Sequence, residues 1–132
     1  MRSDLEKLVT LARAARKNAY VPYSHYAVGA AALAKSGKIY TGCNVENAAY
    51  PSGLCAERVA IFKAVSEGER EFVALAVVTA NAGAMCGACR QALSEFAADN
   101  AVIVLAPARG KRRKKSTMKQ ILPNRFGARN LR

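Results

Sequence analysis

The sequence predicts one α/β domain, a three-layer α-β-α arrangement with a mixed sheet and helices on both faces. Three observations predict it. The runs "FVALAVVTA" (72–80) and "AVIVLA" (101–106) are almost wholly apolar and β-branched, as strands buried on both faces require. Segments with helical periodicity alternate with strand-like ones, which sorts a chain into layers of helix against sheet. A length of 132 residues suits a single domain, expected to span 1–132, with a substantial core.

The elements follow in order. Ser3 and Glu6 read as a capping box, and Leu5, Leu8, Val9 and Ala12 recur at helical spacing, which predicts a helix over about 3–18. Pro22 ends it, because the residue before a proline avoids the helical region. The stretch 26–47 reads as two strands joined by a tight Ser36-Gly37 turn. "CAERVAIFKAVSEG" (55–68) is a second helix that Gly68 stops. After the first buried strand, "CRQALSEFAADN" (89–100) reads as a third helix, and "KQILP" (119–123) as one short helical turn. The expected order is α-β-β-α-β-α-β, and in such sheets sites gather at strand ends and helix N-termini.

The net charge of +12 is local. Residues 1–108 carry eleven Lys or Arg against nine Asp or Glu, a net of +2, whereas residues 109–132 carry ten basic residues and no acid. Seven of the ten lie in "RGKRRKKSTMK" (109–119), expected as an exposed loop that binds polyanions weakly and takes no part in catalysis. The N-terminus lacks the apolar stretch of a signal peptide and no run is long enough to span a bilayer, so the expected location is cytoplasmic. There, four cysteines are thiols or metal ligands before they are disulfides.

Cys86 and Cys89, three positions apart in "MCGACRQ", fit a redox pair, half a zinc site or a core. Cys55 opens the second helix in "CAER", so two helix starts supply three thiolates, the number of protein ligands a catalytic zinc site uses beside a water. Glu57 is placed beside such a water without binding the metal. A redox pair gives no reason for the second Cys-x-Glu helix start. Three thiolates on one zinc sum to −1, which the helix N-termini offset in part, as do Arg58 and Arg90. Cys43 reads as a buried inert thiol, and His25, the only histidine, as structural.

"CAER" followed by "CGACRQ" resembles the zinc-dependent cytidine deaminases, specifically their small homotetrameric type with three cysteine ligands. The resemblance runs from "PYSHYAVGAA" through "GCNVENAAYPSGLCAERVAIFKAVSEG" to "ILPNRF". It implies the cytidine deaminase-like fold, Zn²⁺ on Cys55, Cys86 and Cys89, and Glu57 as the carrier of protons. It also implies that Asn44 and Glu46 hold the ribose 3′-hydroxyl of a free nucleoside, that Tyr26 packs near the base, and that Phe126 reaches the active site of a neighbouring subunit. The implied activity is deamination of cytidine and deoxycytidine to uridine and deoxyuridine in pyrimidine salvage. Two positions depart from the pattern: Met85 stands where the family usually has proline, and the basic segment replaces a more neutral connection. A blasticidin-type nucleoside deaminase is the nearest alternative, because "NVEN" is what favours an ordinary nucleoside. Polynucleotide-editing deaminases usually have histidine where this chain has Cys55. The basic segment alone suggests a nucleic-acid-binding protein on a retained deaminase fold.

Overall fold

A computed structural model describes residues 2–132, with side chains from Ser3 onward. Its elements are α1 (Arg2–Arg16), β1 (Gly29–Ala34), β2 (Ile39–Cys43), α2 (Ala56–Ser66), β3 (Phe72–Thr79), α3 (Gly87–Ser94), β4 (Ala97–Pro107), β5 (Lys114–Thr117) and α4 (Met118–Ile121). One five-stranded mixed sheet runs in the order β2-β1-β3-β4-β5. Of these five strands, only β3 and β4 pair in parallel, and α3 lies in the crossover between them. No helix among the described residues is long and apolar enough to cross a membrane.

The three-layer expectation holds. On one face α1 packs Leu5, Leu8, Val9 and Ala12 against Ala31, Leu33, Ala76 and Val104. On the other, α2 and α3 pack Ala60, Ile61, Ala64 and Leu93 against Ala30, Ala32, Leu75 and Ile103, and Met118 of α4 joins them. Alternation of side chains along each strand divides the two cores.

β1 ("GAAALA") is an inner strand, between β2 and β3, and wholly buried although it is built of small residues. The helices approach so closely that little else fits. A Cβ at Gly29 would lie 2.0 Å from the carbonyl oxygen of Ala12, and one at Gly42 would lie 2.7 Å from that of Ala56. Gly29 of β1 lets α1 close on one face and Gly42 of β2 lets α2 close on the other, which sets how near α2 brings its first turn to the sheet.

Four expectations need correction. The first helix begins at Arg2, so Ser3 lies within its first turn and does not cap it; the Glu6 carboxylate turns to Arg113 at 3.0 Å. The third helix starts at Gly87 and ends at Ser94, and Ala97–Asn100 belong to β4. There the Phe72 N–H donates to Phe96 O at 2.8 Å, Ala97 pairs with Phe72, and Arg125 holds both Ala97 O and Asp99. Ladder bonds and this anchor outweigh the weak helical tendency of "AADN". The basic segment is not simply a loop: residues 114–117 form the edge strand β5, paired antiparallel with Val102–Leu105. Cys43 is half-buried, not buried. The capping box in the described chain is Thr117 with Gln120, which starts α4 one residue before the expected turn.

Candidate active site

The site lies where the N-termini of α2 and α3 face each other. Cys55 is the N-cap of α2 and Cys86 the N-cap of α3, both with extended backbone, and Cys89 lies in the first turn of α3. Neither cysteine caps its helix with a side-chain hydrogen bond, so the sulfurs are free to face one another. The three Sγ atoms all lie within 4.8 Å, and Cys55 Sγ is 3.8 Å from Cys86 Sγ. Sulfurs about 2.3 Å from a tetrahedral zinc stand roughly 3.8 Å apart, so the spacing fits that ion. It is nearly twice a disulfide length of about 2.05 Å, and the cysteines are free. The third thiol turns the Cys-x-x-Cys pair from a redox motif into a metal cluster. Cys43, at the end of β2, is outside it.

The electrostatics fit a cation with bound thiolates. The Cys55 thiol is lowered to about 5, first by its hydrogen bond with Cys89 and also by Arg58, against the opposing effect of burial. The Cys89 thiol is pushed up by that same bond with Cys55 and by burial, so Cys55 yields its proton first. Arg58 points Nη2 at Cys55 Sγ, 3.4 Å away, and its own pKa is raised by that contact. Its Nε is buried without a hydrogen-bond partner. A guanidinium held in this way suits a cluster with excess negative charge. Arg90 instead donates Nε to Met85 O and Nη1 to Ile121 O, tying the loop before α3 to α4 without touching a sulfur. Met85 is buried in the α2–α3 core, and Arg90 fixes its carbonyl.

Glu57, in the first turn of α2, is 5 % exposed. Burial raises its carboxyl to about 7, opposed by its own backbone N–H and assisted by the Cys55 charge. Its charge in turn raises Cys89, so it is electrostatically within the cluster. A carboxyl poised near neutrality can both take and give a proton.

A cleft of about 450 Å³ opens beside Cys55 and Arg58, and Asn44, Glu46, Tyr23 and Tyr50 line it. Glu46 reaches it because Val45 bridges Leu54 and Tyr20, which holds 44–46 against the start of α2. Its Oε1 accepts from the N–H groups of Tyr23 and Ser24 at 3.0 and 3.1 Å, and Oε2 accepts from the Ser24 hydroxyl. The Ser24 hydroxyl is the main reason its carboxyl lies below the ordinary range. Asn44 accepts from Val28 N and donates to Tyr26 O, so one acceptor and one donor of its amide already staple 26–28. Tyr26 is exposed, and its hydroxyl donates to Asn81 Oδ1 at 2.9 Å. Phe126 is exposed and does not line this chain's cleft; its carbonyl accepts from Gln91. His25 stays in its loop, with φ +58 and its N–H on Val21 O.

Sequence reasoning overlooked Ser24 and Asn81, which hold Glu46 and Tyr26. Ser24 lay in a quoted motif, but Asn81 is fifty-five positions from its partner and carries no local signal.

A helix-start thiol cluster, a buried carboxylate beside it and an open cleft define a metal-dependent enzyme of the deaminase type on this sheet. Residues 2–105 match the family described as the cytidine and deoxycytidylate deaminase zinc-binding region. A cytidine deaminase of Sporosarcina psychrophila is 48 % identical over 130 residues, 97 % of this chain and 95 % of that protein. One from Halalkalibacterium halodurans is 43 % identical over 130 residues, 97 % of this chain and 98 % of that protein. The crystal structure of a cytidine deaminase from Burkholderia pseudomallei superposes with a TM-score of 0.86 at 42 % identity, covering 92 % of this chain and 98 % of that one. The chain belongs to the cytidine and deoxycytidylate deaminase zinc-binding family, whose zinc matches the donor set found here.

Proposed function

We propose that this protein is a cytidine deaminase that hydrolyses cytidine and deoxycytidine to uridine and deoxyuridine, releasing ammonia. One observation carries the reading: three convergent thiols share a site with a buried carboxyl poised near pH 7, beside a cleft that Cys55 lines together with Asn44 and Glu46. In this reading Cys55, Cys86 and Cys89 hold the zinc, and Arg58 offsets their charge. Arg90 acts at one remove by fixing Met85 O. Zinc held by these three thiolates would supply an acidified water, its pKa lowered from about 9 towards about 7, and so a nucleophile at neutral pH. Glu57 accepts the proton that water gives up and passes it to N3 of the base as C4 is attacked. It then takes the proton of the new C4 hydroxyl and delivers it to the exocyclic nitrogen, which leaves as ammonia as the C4 carbonyl forms, the acid–base role described for zinc deaminases.

Asn44 and Glu46 hold the ribose. The carboxylate of Glu46 is kept charged and pointed by Tyr23 and Ser24, and it accepts from a sugar hydroxyl while repelling a phosphate. That combination favours free nucleosides over nucleotides. Tyr26 is held by Asn81 for contact with the base. The working form is a homotetramer in which Phe126 enters a neighbour's cleft. Its exposure, and that of Tyr23, Val45 and Tyr50 around the cleft, supports this assembly. The proposed setting is pyrimidine salvage in the cytoplasm. Incubating the purified protein with cytidine and following uridine formation tests the reading; absence of turnover by zinc-replete protein would overturn it.

A further inference from the structure

The hairpin that closes the sheet carries charge that deamination does not use. Residues 109–119 hold seven Lys or Arg and no acid. Only Arg113 meets a carboxylate, that of Glu6. Arg109, Lys111, Arg112, Lys114, Lys115 and Lys119 are exposed and form no ion pair among the described residues. The side chains of the four lysines make no hydrogen bond there either.

The segment is nevertheless held in place. β5 pairs with β4 at four positions, and Thr117 and Gln120 cap the turn that follows. Arg13 of α1 binds the carbonyls of Pro107 and Gly110, while Arg112 binds Asn81 O. Register distributes the cations around the edge. Lys114 stands opposite Leu105, on the α2–α3 face, and Lys115 opposite Val104, on the α1 face.

We propose that this edge binds the phosphate backbone of duplex nucleic acid without reading its sequence. Cations spread along an ordered edge, with no buried polar group converging on one point, match a linear array of phosphates better than a single small anion. A duplex offers one charge per ~1.7 Å of axis, twice the density of either strand alone. Single strands are disfavoured because the segment has no aromatic side chain on which bases could stack. An anionic membrane is disfavoured because its only large apolar residue, Met118, is fully buried and cannot insert.

The test is fluorescence anisotropy of a short labelled DNA duplex with the zinc-loaded protein, wild type and K111Q/K114Q/K115Q/K119Q. Three phosphate contacts, at about −0.9 each in the slope of log K against log salt, predict roughly a 40-fold loss of affinity from about 50 to 200 mM salt. The variant should bind at least about tenfold more weakly at low salt, with a flatter slope. Its cytidine turnover should stay within a few-fold, which keeps this result separate from the deaminase reading. Wild-type binding that ignores salt overturns the proposal without needing the variant to fold. So does unchanged binding by a variant that aggregates, since the lysines would then only guard an exposed strand edge. Tighter binding of single-stranded DNA, or of phosphatidylserine vesicles in place of the duplex, also overturns it.

Discussion

Glu57→Gln alters a residue that is only 5 % exposed while keeping its shape, so its effects report on the proton rather than on packing. The amide cannot accept the proton from water or pass it on. General acid–base groups contribute about 10²–10⁴-fold, and a carboxyl used in successive transfers belongs at the upper end, so kcat for cytidine should fall by about 10⁴. Zinc content should be unchanged, because no sulfur is touched. The metal-free protein supplies an independent readout. Burial lifts the Glu57 carboxyl from 4.5 to about 7. A folded value above the unfolded one means its contribution to stability is complete below pH 4.5 and lost as the pH rises through about 7. The full displacement corresponds to roughly 3 kcal/mol, at about 1.4 kcal/mol per tenfold change. Glutamine has no such loss. Denaturant unfolding of the two metal-free proteins should therefore show the variant gaining on the wild type between about pH 5 and pH 8, by up to that amount. Near-normal turnover by a zinc-loaded variant would refute the proton-carrying role. Parallel stability curves would refute the buried, raised carboxyl.

Other outcomes follow from the same geometry. Cys55→Ala should lose zinc, as measured by metal analysis after gel filtration, whereas Cys43→Ala, outside the cluster, should keep one zinc per chain. Glu46→Ala should reduce kcat/KM for cytidine by the equivalent of about 1–3 kcal/mol with zinc retained; an unchanged value would remove Glu46 from ribose binding. Ser24→Ala, which takes one of three donors from that carboxylate, should produce a smaller loss in the same assay. Gly29→Ala would place a Cβ 2.0 Å from Ala12 O, so α1 must shift, and thermal unfolding should report a loss of about 1–3 kcal/mol or more.

The strands that carry the core, β3 and most of β4, were legible because burial on both faces writes a continuous apolar run into the chain. The start of α2 was legible because it opens with cysteine at a sharp change of pattern, whereas α3 starts at Gly87, two residues before the expected Cys89. The donor chemistry was visible for a related reason: thiols, a carboxylate and a guanidinium announce themselves by residue type, and their spacing follows the helix starts. "AADN" reads as helix in the sequence because local propensity is weak there, and its strand state depends on Phe72 and Arg125, both remote in the chain. The basic segment read as loop because like charges carry no strand periodicity, yet the free edge of β4 paired four of its residues. A ladder bond is satisfied by any backbone, whatever the side chain.

By itself, then, the sequence determined the class of fold and the chemical identity of the site, because hydrophobic period and ligand type are local properties. Only the tertiary structure decided that the three sulfurs converge within 4.8 Å and that Glu57 is buried enough to sit near pH 7. It alone decided that Glu46 is held by Tyr23 and Ser24 and Tyr26 by Asn81, and that the segment carrying six cations without ion pairs among the described residues supplies the edge strand of the sheet. Those facts depend on how α2 and α3 meet and on which strand closes the sheet. Distance, burial and field are set by packing between segments remote in sequence, where no local pattern can record them.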